Sequence, residues 1–211
     1  MKILTVIAVL GLYWHLAAPA ARGQDAPAPG AEMSDGTWQF SAITGGGSGL
    51  GKSSNTQFFL AGGRAGRVLT GEHLGGWLKG DFEWAVDVMP VYVVFAGSSA
   101  TVPTSKTVYG ASFKPVIWEW NFTSHEKVVP YAAIEGGILF STSDVPRGNT
   151  SQVNFTPQGA VGAHVFVKPD RALLLEAAIV HHSSASLGRQ NPGYNASFFF
   201  TVGYSWFKSR R

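Results

Sequence analysis

From residue 36 onward, apolar runs alternate with breaks rich in Gly, Ser, Thr and Pro. Inside the runs, polar and apolar side chains occupy opposite parities. In one run Asp81 and Glu83 are odd-numbered, whereas Phe82 and Trp84 are even-numbered. Because successive side chains of a strand point to opposite faces, this two-residue period predicts β-strands with one polar and one apolar face. The breaks define eight runs, at residues 36–44, 55–70, 76–96, 107–122, 127–141, 152–167, 171–185 and 194–207.

The connections between these runs alternate in length. The longer ones cover residues 45–54, 97–106, 142–151 and 186–193, and the shorter ones cover 71–75, 123–126 and 168–170. Short turns at one end and longer loops at the other are typical of an outer-membrane β-barrel. We therefore predict an all-β fold, an eight-stranded antiparallel up-and-down outer-membrane β-barrel. Eight strands enclose only enough room for side chains, so a solute pore is not expected.

In such a barrel the apolar parity faces lipid, and the charged parity fills the interior, where ions must pair. The side chains predicted inside are Lys79, Asp81, Glu83, Asp87, Glu135 and Glu176. The lipid-facing parity of the third run comprises Phe82, Trp84, Val86, Val88, Tyr92 and Val94. In the fourth run Phe113 and Ile117 are odd but Trp118 is even, which predicts a β-bulge near Ile117. A soluble lipocalin-like barrel is the alternative, and it would reverse the two faces.

The N-terminus has the pattern of a secretion signal. Lys2 supplies a positive charge, residues 3–12 are apolar, and cleavage after Ala20 or Gly23 fits the small residues there. The apolar segment is shorter than the roughly 20 residues of a membrane-spanning helix. We predict a signal peptide at 1–23, an extended Ala-Pro linker at 24–34 and the barrel domain at 35–211.

Composition narrows the classes of function. Charged residues are 14% of the chain, against about 25% in soluble domains. The formal net charge of +3 falls to about +1 (3 − 2) when Lys2 and Arg22 leave with the signal, so nucleic acid is not an expected partner. Cysteine is absent, and no histidine or carboxylate spacing indicates a metal, so no metal or cofactor is expected.

Residues 46–53 read GGSGLGKS, a formal match to the nucleotide-binding P-loop. That motif needs a helix next, whose N-terminus meets the phosphates. Residues 55–67 are instead broken by glycine and strand-like. We interpret the segment as a surface loop.

The last hairpin carries the candidate chemistry. His181 and Ser183 continue an apolar strand, and Asn195 follows fourteen residues after His181. The two-residue period places His181 and Ser183 on the lipid-facing side, which suits an esterase with a lipid substrate. The other register, His182 with Ser184 on the lumen face, remains open. His182 shares the parity of Glu176, which predicts an interior histidine paired with a carboxylate.

The segment HHSSASLGRQNPGYN, at 181–195, with the eight strands, the signal peptide and the aromatic C-terminal end, resembles the outer-membrane lipid A 3-O-deacylase family (PagL, also labelled acyloxyacyl hydrolase). Residues 66–71, 90–95 and 154–158 are also similar to relatives with this label. The family has His-x-Ser-Asn-Ala-Gly, with an acidic residue fourteen positions after the His. The resemblance implies a Ser-His-Asn triad in which Ser183 is the nucleophile, His181 is the base and Asn195 orients the imidazole.

The chain departs from the family pattern at three positions. Ser184 and Ser186 stand where the family has Asn and Gly, positions associated with stabilising the oxyanion. Asn195 replaces the carboxylate, although an amide oxygen can still accept a hydrogen bond from an imidazole. Because one oxyanion donor contributes roughly 10²–10³ in kcat, these departures predict a weaker enzyme.

The resemblance implies a serine esterase that removes the 3-O-linked hydroxyacyl chain from lipid A in the bacterial outer membrane. Its partners would be lipopolysaccharide and outer-membrane lipids, with no cofactor and no nucleic acid, and the fold is compatible with a homodimer. The alternative is a non-catalytic small barrel with a structural or adhesive role. The spacing of His181, Ser183 and Asn195 favours the enzyme.

Overall fold

The computed structural model describes residues 33–98, 102–148, 150–185, 187 and 195–209. The predicted signal peptide lies outside the described residues. The strands are β1 (Trp38–Gly49), β2 (Thr56–Val68), β3 (Gly80–Ala96), β4 (Lys106–Phe122), β5 (Val128–Ser141), β6 (Val153–Phe155), β7 (Gln158–Lys168), β8 (Arg171–His181) and β9 (Ala196–Lys208). Two 3₁₀ turns, Gly51–Ser53 and Gly76–Leu78, lie in the connections.

With β6 and β7 counted as one strand, each strand pairs antiparallel with the next, and β9 pairs with β1 to close the sheet. The short β6 and β7 act as one strand, because both pair with β5 in a single register, Ile138 with Phe155 and Glu135 with Gln158. Pro157, which has no N–H to donate, lies at the interruption. The predicted eight-stranded up-and-down barrel is therefore confirmed. Among the described residues, no helix has the length and hydrophobicity to cross a membrane.

The two ends of the barrel differ. The start of β1, the end of β9 and the connections at 69–79, 123–127 and 169–170 lie at one end, which we call the short-turn end. The connections at 50–55, 97–105, 142–152 and 182–195 lie at the other, which we call the long-loop end. The predicted alternation of lengths is wrong for the first two connections: β1 extends to Gly49 and β3 begins only at Gly80, so the connection at 69–79 is longer than the one at 50–55. The candidate site belongs to the long-loop end.

Charged side chains fill the middle of the barrel. Arg64 is buried, with Nε 2.8 Å from Asp87 Oδ1 and Nη2 3.0 Å from Glu176 Oε2. Lys114 Nζ lies 2.9 Å from Asp87 Oδ2 and 2.6 Å from Glu135 Oε2. The predicted interior carboxylates Asp81, Glu83, Asp87, Glu135 and Glu176 are all buried. Since the outer wall is apolar, the lipocalin-like alternative is wrong.

Lys79 is the exception among the predicted interior charges. β3 begins at Gly80 rather than at residue 76, so strand alternation does not apply to Lys79. Its exposed side chain lies in the turn before β3, with Nζ 2.7 Å from Glu72 Oε2. Hydrogen bonds from Lys79 and Thr123 lower the pKa of Glu72.

Two bulges change which residues face inward. The register shifts between Phe113 and Val116 of β4, which confirms the bulge predicted near Ile117 and turns both Lys114 and Ile117 inward. A second shift lies between Met89 and Tyr92 of β3 and was not predicted. Beyond it Tyr92 and Val94 are buried inside the barrel, so their predicted lipid-facing placement is wrong.

In the long-loop half the interior is apolar rather than charged, and the inward turn of Tyr92 and Val94 adds two side chains to it. The side chains that fill it are Phe58, Tyr92, Val94, Val108, Leu139, Val180 and Phe199. A cavity of about 30 Å³, bordered by Tyr92, Phe199 and Lys114, separates this apolar layer from the charged layer. A site on the long-loop half of the wall therefore rests on a packed apolar core.

The first strand extends beyond its predicted end at residue 44, to Gly49. Its glycines allow β9 to approach closely. A Cβ at Gly45 would lie 2.5 Å from the Phe200 carbonyl oxygen, and one at Gly47 would lie 2.6 Å from that of Phe198. Half of the segment at 46–53 is thus strand, and a 3₁₀ turn and β2 follow it instead of a helix. The expected surface loop is limited to its second half.

Candidate active site

The candidate base and nucleophile lie at the point where β8 leaves the regular barrel wall. His181 is the last residue of β8, and Ser183 forms an isolated bridge with Phe155. His181 and Ser183 are half-buried, whereas His182 and Ser184 are only 2% and 4% exposed. His181 and Ser183 therefore share the outward face of Ile179, and His182 and Ser184 face the interior.

Backbone hydrogen bonds extend this wall past the end of β8. The amide of His181 donates to the carbonyl of Pro157 (2.9 Å), and the amide of Ser183 donates to that of Phe155 (2.9 Å). The Phe155 amide donates in return to the Ser183 carbonyl (2.7 Å). At about 3.3 Å per residue, the two α-carbons are roughly 6.6 Å apart on one face. The strand conformation thus fixes the relative placement of an imidazole and a hydroxyl.

A strained turn follows the candidate nucleophile. Ala185 has a φ of +44°, in the left-handed region that non-glycine residues seldom occupy. Its backbone N–H donates to Ser183 Oγ at 3.3 Å. A donor held beside a hydroxyl in this way can also reach an anion that forms there. No sequence pattern indicates this donor, because nothing in an alanine indicates a positive φ.

Asn195 lies directly before β9. Its carbonyl accepts the His182 N–H at 2.9 Å, and the next residue, Ala196, is the cross-strand partner of His181. The Asn195 side chain is buried, at 6% exposure. The fold thus brings the three predicted triad positions to neighbouring rungs of one ladder. Asn195 stands opposite His182, however, so its buried side chain lies on the inward face and not on the outward face of His181 and Ser183.

Of the two serines predicted to support the oxyanion, Ser184 and Ser186, the structure describes only Ser184. Ser184 points into the barrel, and its buried Oγ has no hydrogen-bond partner among the described residues. Ser186 lies outside the described residues. The Ser184 hydroxyl is thus on the opposite face of the wall from Ser183.

His182 anchors the inner side of the same segment. Its ring stacks on Phe58, with centroids 5.1 Å apart and planes 5° apart, and its Nε2 lies 3.4 Å from the Tyr92 hydroxyl. The prediction that His182 lies inside is confirmed. Its predicted pairing with a carboxylate is wrong: Glu176, which shares its parity, lies six residues back along the strand, about 20 Å away. Glu176 instead accepts hydrogen bonds from Arg64 and Tyr131.

Large apolar side chains surround the outward pair. Phe155 lies across the ladder from Ser183, and Ile179 lies across from Phe198; all three apolar side chains are exposed on the wall. Leu187, beyond the turn, is exposed as well. A hydroxyl and an imidazole set among such side chains suit an ester whose acyl chain lies against the wall. Among the described residues, no group of three or more His, Cys, Asp or Glu could hold a metal ion.

Comparisons with solved structures recover small membrane barrels. The structure described as the outer membrane enzyme PagL has a TM-score of 0.49 and 13% identity, over 80% of this chain and 98% of that one. The N-terminal β-barrel domain of Pseudomonas aeruginosa OprF has 0.49 and 11%, over 82% and 98%. OprG from the same organism has 0.46 and 8%, over 84% and 98%.

No curated protein matches the sequence. Residues 68–205 match the family described as Lipid A 3-O-deacylase (PagL), a span that contains His181, Ser183 and Asn195. This span exceeds half of the 211 residues. The chain therefore belongs to the lipid A 3-O-deacylase (PagL) family.

Proposed function

We propose that this protein is an outer-membrane serine esterase that removes the 3-O-linked hydroxyacyl chain from lipid A. The observation that carries the proposal is the outward placement of His181 and Ser183 in an apolar wall, over a packed core. Family membership supports lipid A as the substrate. The homodimer stays a prediction.

In the proposed reaction Ser183 Oγ attacks the carbonyl carbon of the acyl ester, and His181 accepts the hydroxyl proton. The Ala185 N–H, already beside Ser183 Oγ, donates to the oxyanion that forms. The C–O bond to the sugar then breaks, and the sugar oxygen takes the proton from His181. Water, activated by the same imidazole, hydrolyses the acyl-enzyme and releases the hydroxy fatty acid.

Asn195 is proposed as a positioning residue. Its place one residue before the cross-strand partner of His181 lets it influence the imidazole from the start of β9. The backbone bond from His182 to Asn195 fixes that strand end against the His pair. Because its side chain lies on the inward face with His182, Asn195 is proposed to position His181 through the backbone of this strand end rather than by a direct hydrogen bond to the imidazole.

The lipid-facing location accounts for how the substrate is held. Acyl chains of a lipid already lie parallel to the barrel wall, so binding requires little extraction from the bilayer. The exposed side chains of Phe155, Ile179 and Phe198 offer apolar contact along such a chain. Holding the ester beside Ser183 turns the attack into an effectively unimolecular step.

The test is mass spectrometry of lipid A from bacteria that lack their own deacylase and express the wild type, Ser183→Ala or Ser184→Ala. The wild type and Ser184→Ala are expected to release the 3-O-linked hydroxyacyl chain, and Ser183→Ala is not. A folded, membrane-inserted wild type that leaves lipid A unchanged overturns the proposal. Full activity in Ser183→Ala would exclude Ser183 as the nucleophile.

A further inference from the structure

Tryptophan is confined to one end of this barrel. The tryptophans of the described residues, all in the half next to the short-turn end, are Trp38, Trp77, Trp84, Trp118, Trp120 and Trp206. The outward aromatic residues of the long-loop half are phenylalanine and tyrosine, such as Phe95 and Tyr109. Indole rings prefer the level of lipid headgroups. The short-turn end is therefore suited to lie at the headgroup level of a lipid leaflet.

Cations alternate with these indoles around the outer wall. Trp38 lies between Arg67 on β2 and Lys208 on β9, each its direct cross-strand partner. Arg67 in turn lies across from Trp84. Trp38 and Trp84 are 41% and 38% exposed. The guanidinium carbon of Arg67 is 5.6 Å from the centre of the Trp38 ring.

The charges of Arg67 and Lys208 are not neutralised within the described part of the chain. Neither forms an ion pair there, whereas Arg171 lies 3.5 Å from Asp170 at the same rim. The Nε of Arg67 is buried without a hydrogen-bond partner among the described residues. A guanidinium without an internal carboxylate partner is suited to an external oxyanion such as a phosphate, which its terminal nitrogens rather than the buried Nε would contact.

An apolar depression lies beside these two cations. It has a volume of about 310 Å³ and is lined by Trp38, Phe40, Lys208 and Ser209. The rings of Trp38 and Phe40 stack with centroids 6.1 Å apart and planes 11° apart, so they form one flat apolar wall. The depression can hold the first part of an acyl chain while a phosphate sits at its charged edge.

We propose that this surface, formed by Trp38, Phe40, Arg67 and Lys208, binds an anionic glycerophospholipid of the leaflet at the short-turn end. Arg67 and Lys208 contact the phosphate, and the acyl chain lies on Trp38 and Phe40. Selectivity follows from charge, because the ammonium of a zwitterionic headgroup is repelled by two uncompensated cations while a glycerol headgroup is not. The surface lies at the opposite end of the barrel from the candidate active site and does not depend on the proposed esterase.

The test uses the full mature chain in phosphatidylcholine vesicles that contain a small fraction of brominated lipid, which quenches nearby tryptophan. At equal mole fraction, brominated phosphatidylglycerol is expected to quench at least twofold more than brominated phosphatidylcholine. High salt should reduce this excess. Arg67→Gln with Lys208→Gln should abolish it. Lys106→Gln, which removes an exposed cation at the long-loop end, should leave it unchanged.

Equal quenching by the two lipids in the wild type would overturn the proposal, as would an excess that survives in the double variant. Folding of each variant is checked by its heat-dependent mobility in gel electrophoresis. If the double variant does not fold, Lys208→Gln alone is used, because Lys208 is an exposed residue at the end of β9. A wild-type excess that this single variant leaves intact would exclude Lys208 from the site.

Discussion

Phe155 and Ser183 exchange backbone hydrogen bonds, each amide donating to the carbonyl of the other residue at 2.7 and 2.9 Å. The candidate nucleophile is therefore part of the barrel wall, although β8 ends two residues earlier at His181. The interruption at Pro157 leaves this rung intact, since the His181 amide still donates to the Pro157 carbonyl. A rigid strand gives a more defined geometry for Ser183 than a free loop would.

If this rung positions Ser183, its removal should cost activity without unfolding the barrel. Phe155→Pro deletes the amide that donates to Ser183, and it is expected to reduce deacylation at least tenfold. Phe155→Leu keeps both the amide and an apolar surface, so it should stay within a few-fold of the wild type. Lipid A mass spectrometry measures both. Equal activity in the two variants would show that the rung is not needed.

The effects of replacing His181 and Ser183 on kcat should be non-additive, because the two residues act in one catalytic unit. Ser183→Ala and His181→Ala are each expected to reduce kcat by about 10³-fold or more, and the double variant should be no worse than either. His182→Phe preserves the stacking on Phe58 and serves as the register control. Deacylation kinetics on purified lipid A measure kcat for each of these variants. A dead His182→Phe beside an active His181→Ala would reverse the assignment.

Asn195 should affect kcat without taking part in the chemical step itself. Asn195→Ala is expected to lower kcat less than Ser183→Ala does, because the backbone bond from His182 remains in every variant. Asn195→Glu adds negative charge near the imidazolium and should raise kcat. The rising limb of its pH–rate profile should move to higher pH, because a carboxylate favours the protonated imidazole. A purely structural role would leave that profile unmoved.

Replacing Ala185, whose φ is positive, by glycine is expected to stabilise the protein. Ala185→Gly relieves a left-handed strain of roughly 1 kcal/mol and should raise the free energy of unfolding while the turn keeps its shape. Ala185→Val adds a β-branched side chain at the same φ, and it should reduce deacylation by moving the N–H away from Ser183 Oγ. Urea unfolding and kcat are measured together. Unchanged kcat in Ala185→Val would exclude this amide as an oxyanion donor.

The buried charge cluster of Arg64, Lys114, Asp87, Glu135 and Glu176 should contribute strongly to the free energy of unfolding. Arg64→Met leaves Asp87 and Glu176 buried without their nearest cation, and it is expected to cost about 3–5 kcal/mol of unfolding free energy. Lys79→Met breaks an exposed pair with Glu72 and should cost at most about 1 kcal/mol. Urea unfolding in lipid vesicles gives both values. A loss in Arg64→Met no larger than in Lys79→Met would contradict the cluster's importance.

The sequence predicted the features of the fold that depend on neighbouring residues. The two-residue period and the Gly-rich breaks located every strand to within a few residues, except for the end of β1. Alternation also placed Asp81, Glu83 and Glu176 inside, and it gave the register in which His181 and Ser183 face outward. These results follow because side-chain direction along one strand depends on that strand's own backbone.

The tertiary structure decided whatever depends on a second strand. Tyr92 and Val94 turn inward because a bulge near Pro90 inserts one residue against β4, and no pattern within β3 marks it. From the sequence, Gly45 and Gly47 are expected in a loop. Their place in β1 depends on the close approach of β9, which leaves no room for a side chain there. The Ala185 amide likewise lies beside Ser183 in a turn that directly follows the cross-strand rung to Phe155. The sequence by itself determined the faces of the wall, and the pairing between strands determined the geometry of the candidate site.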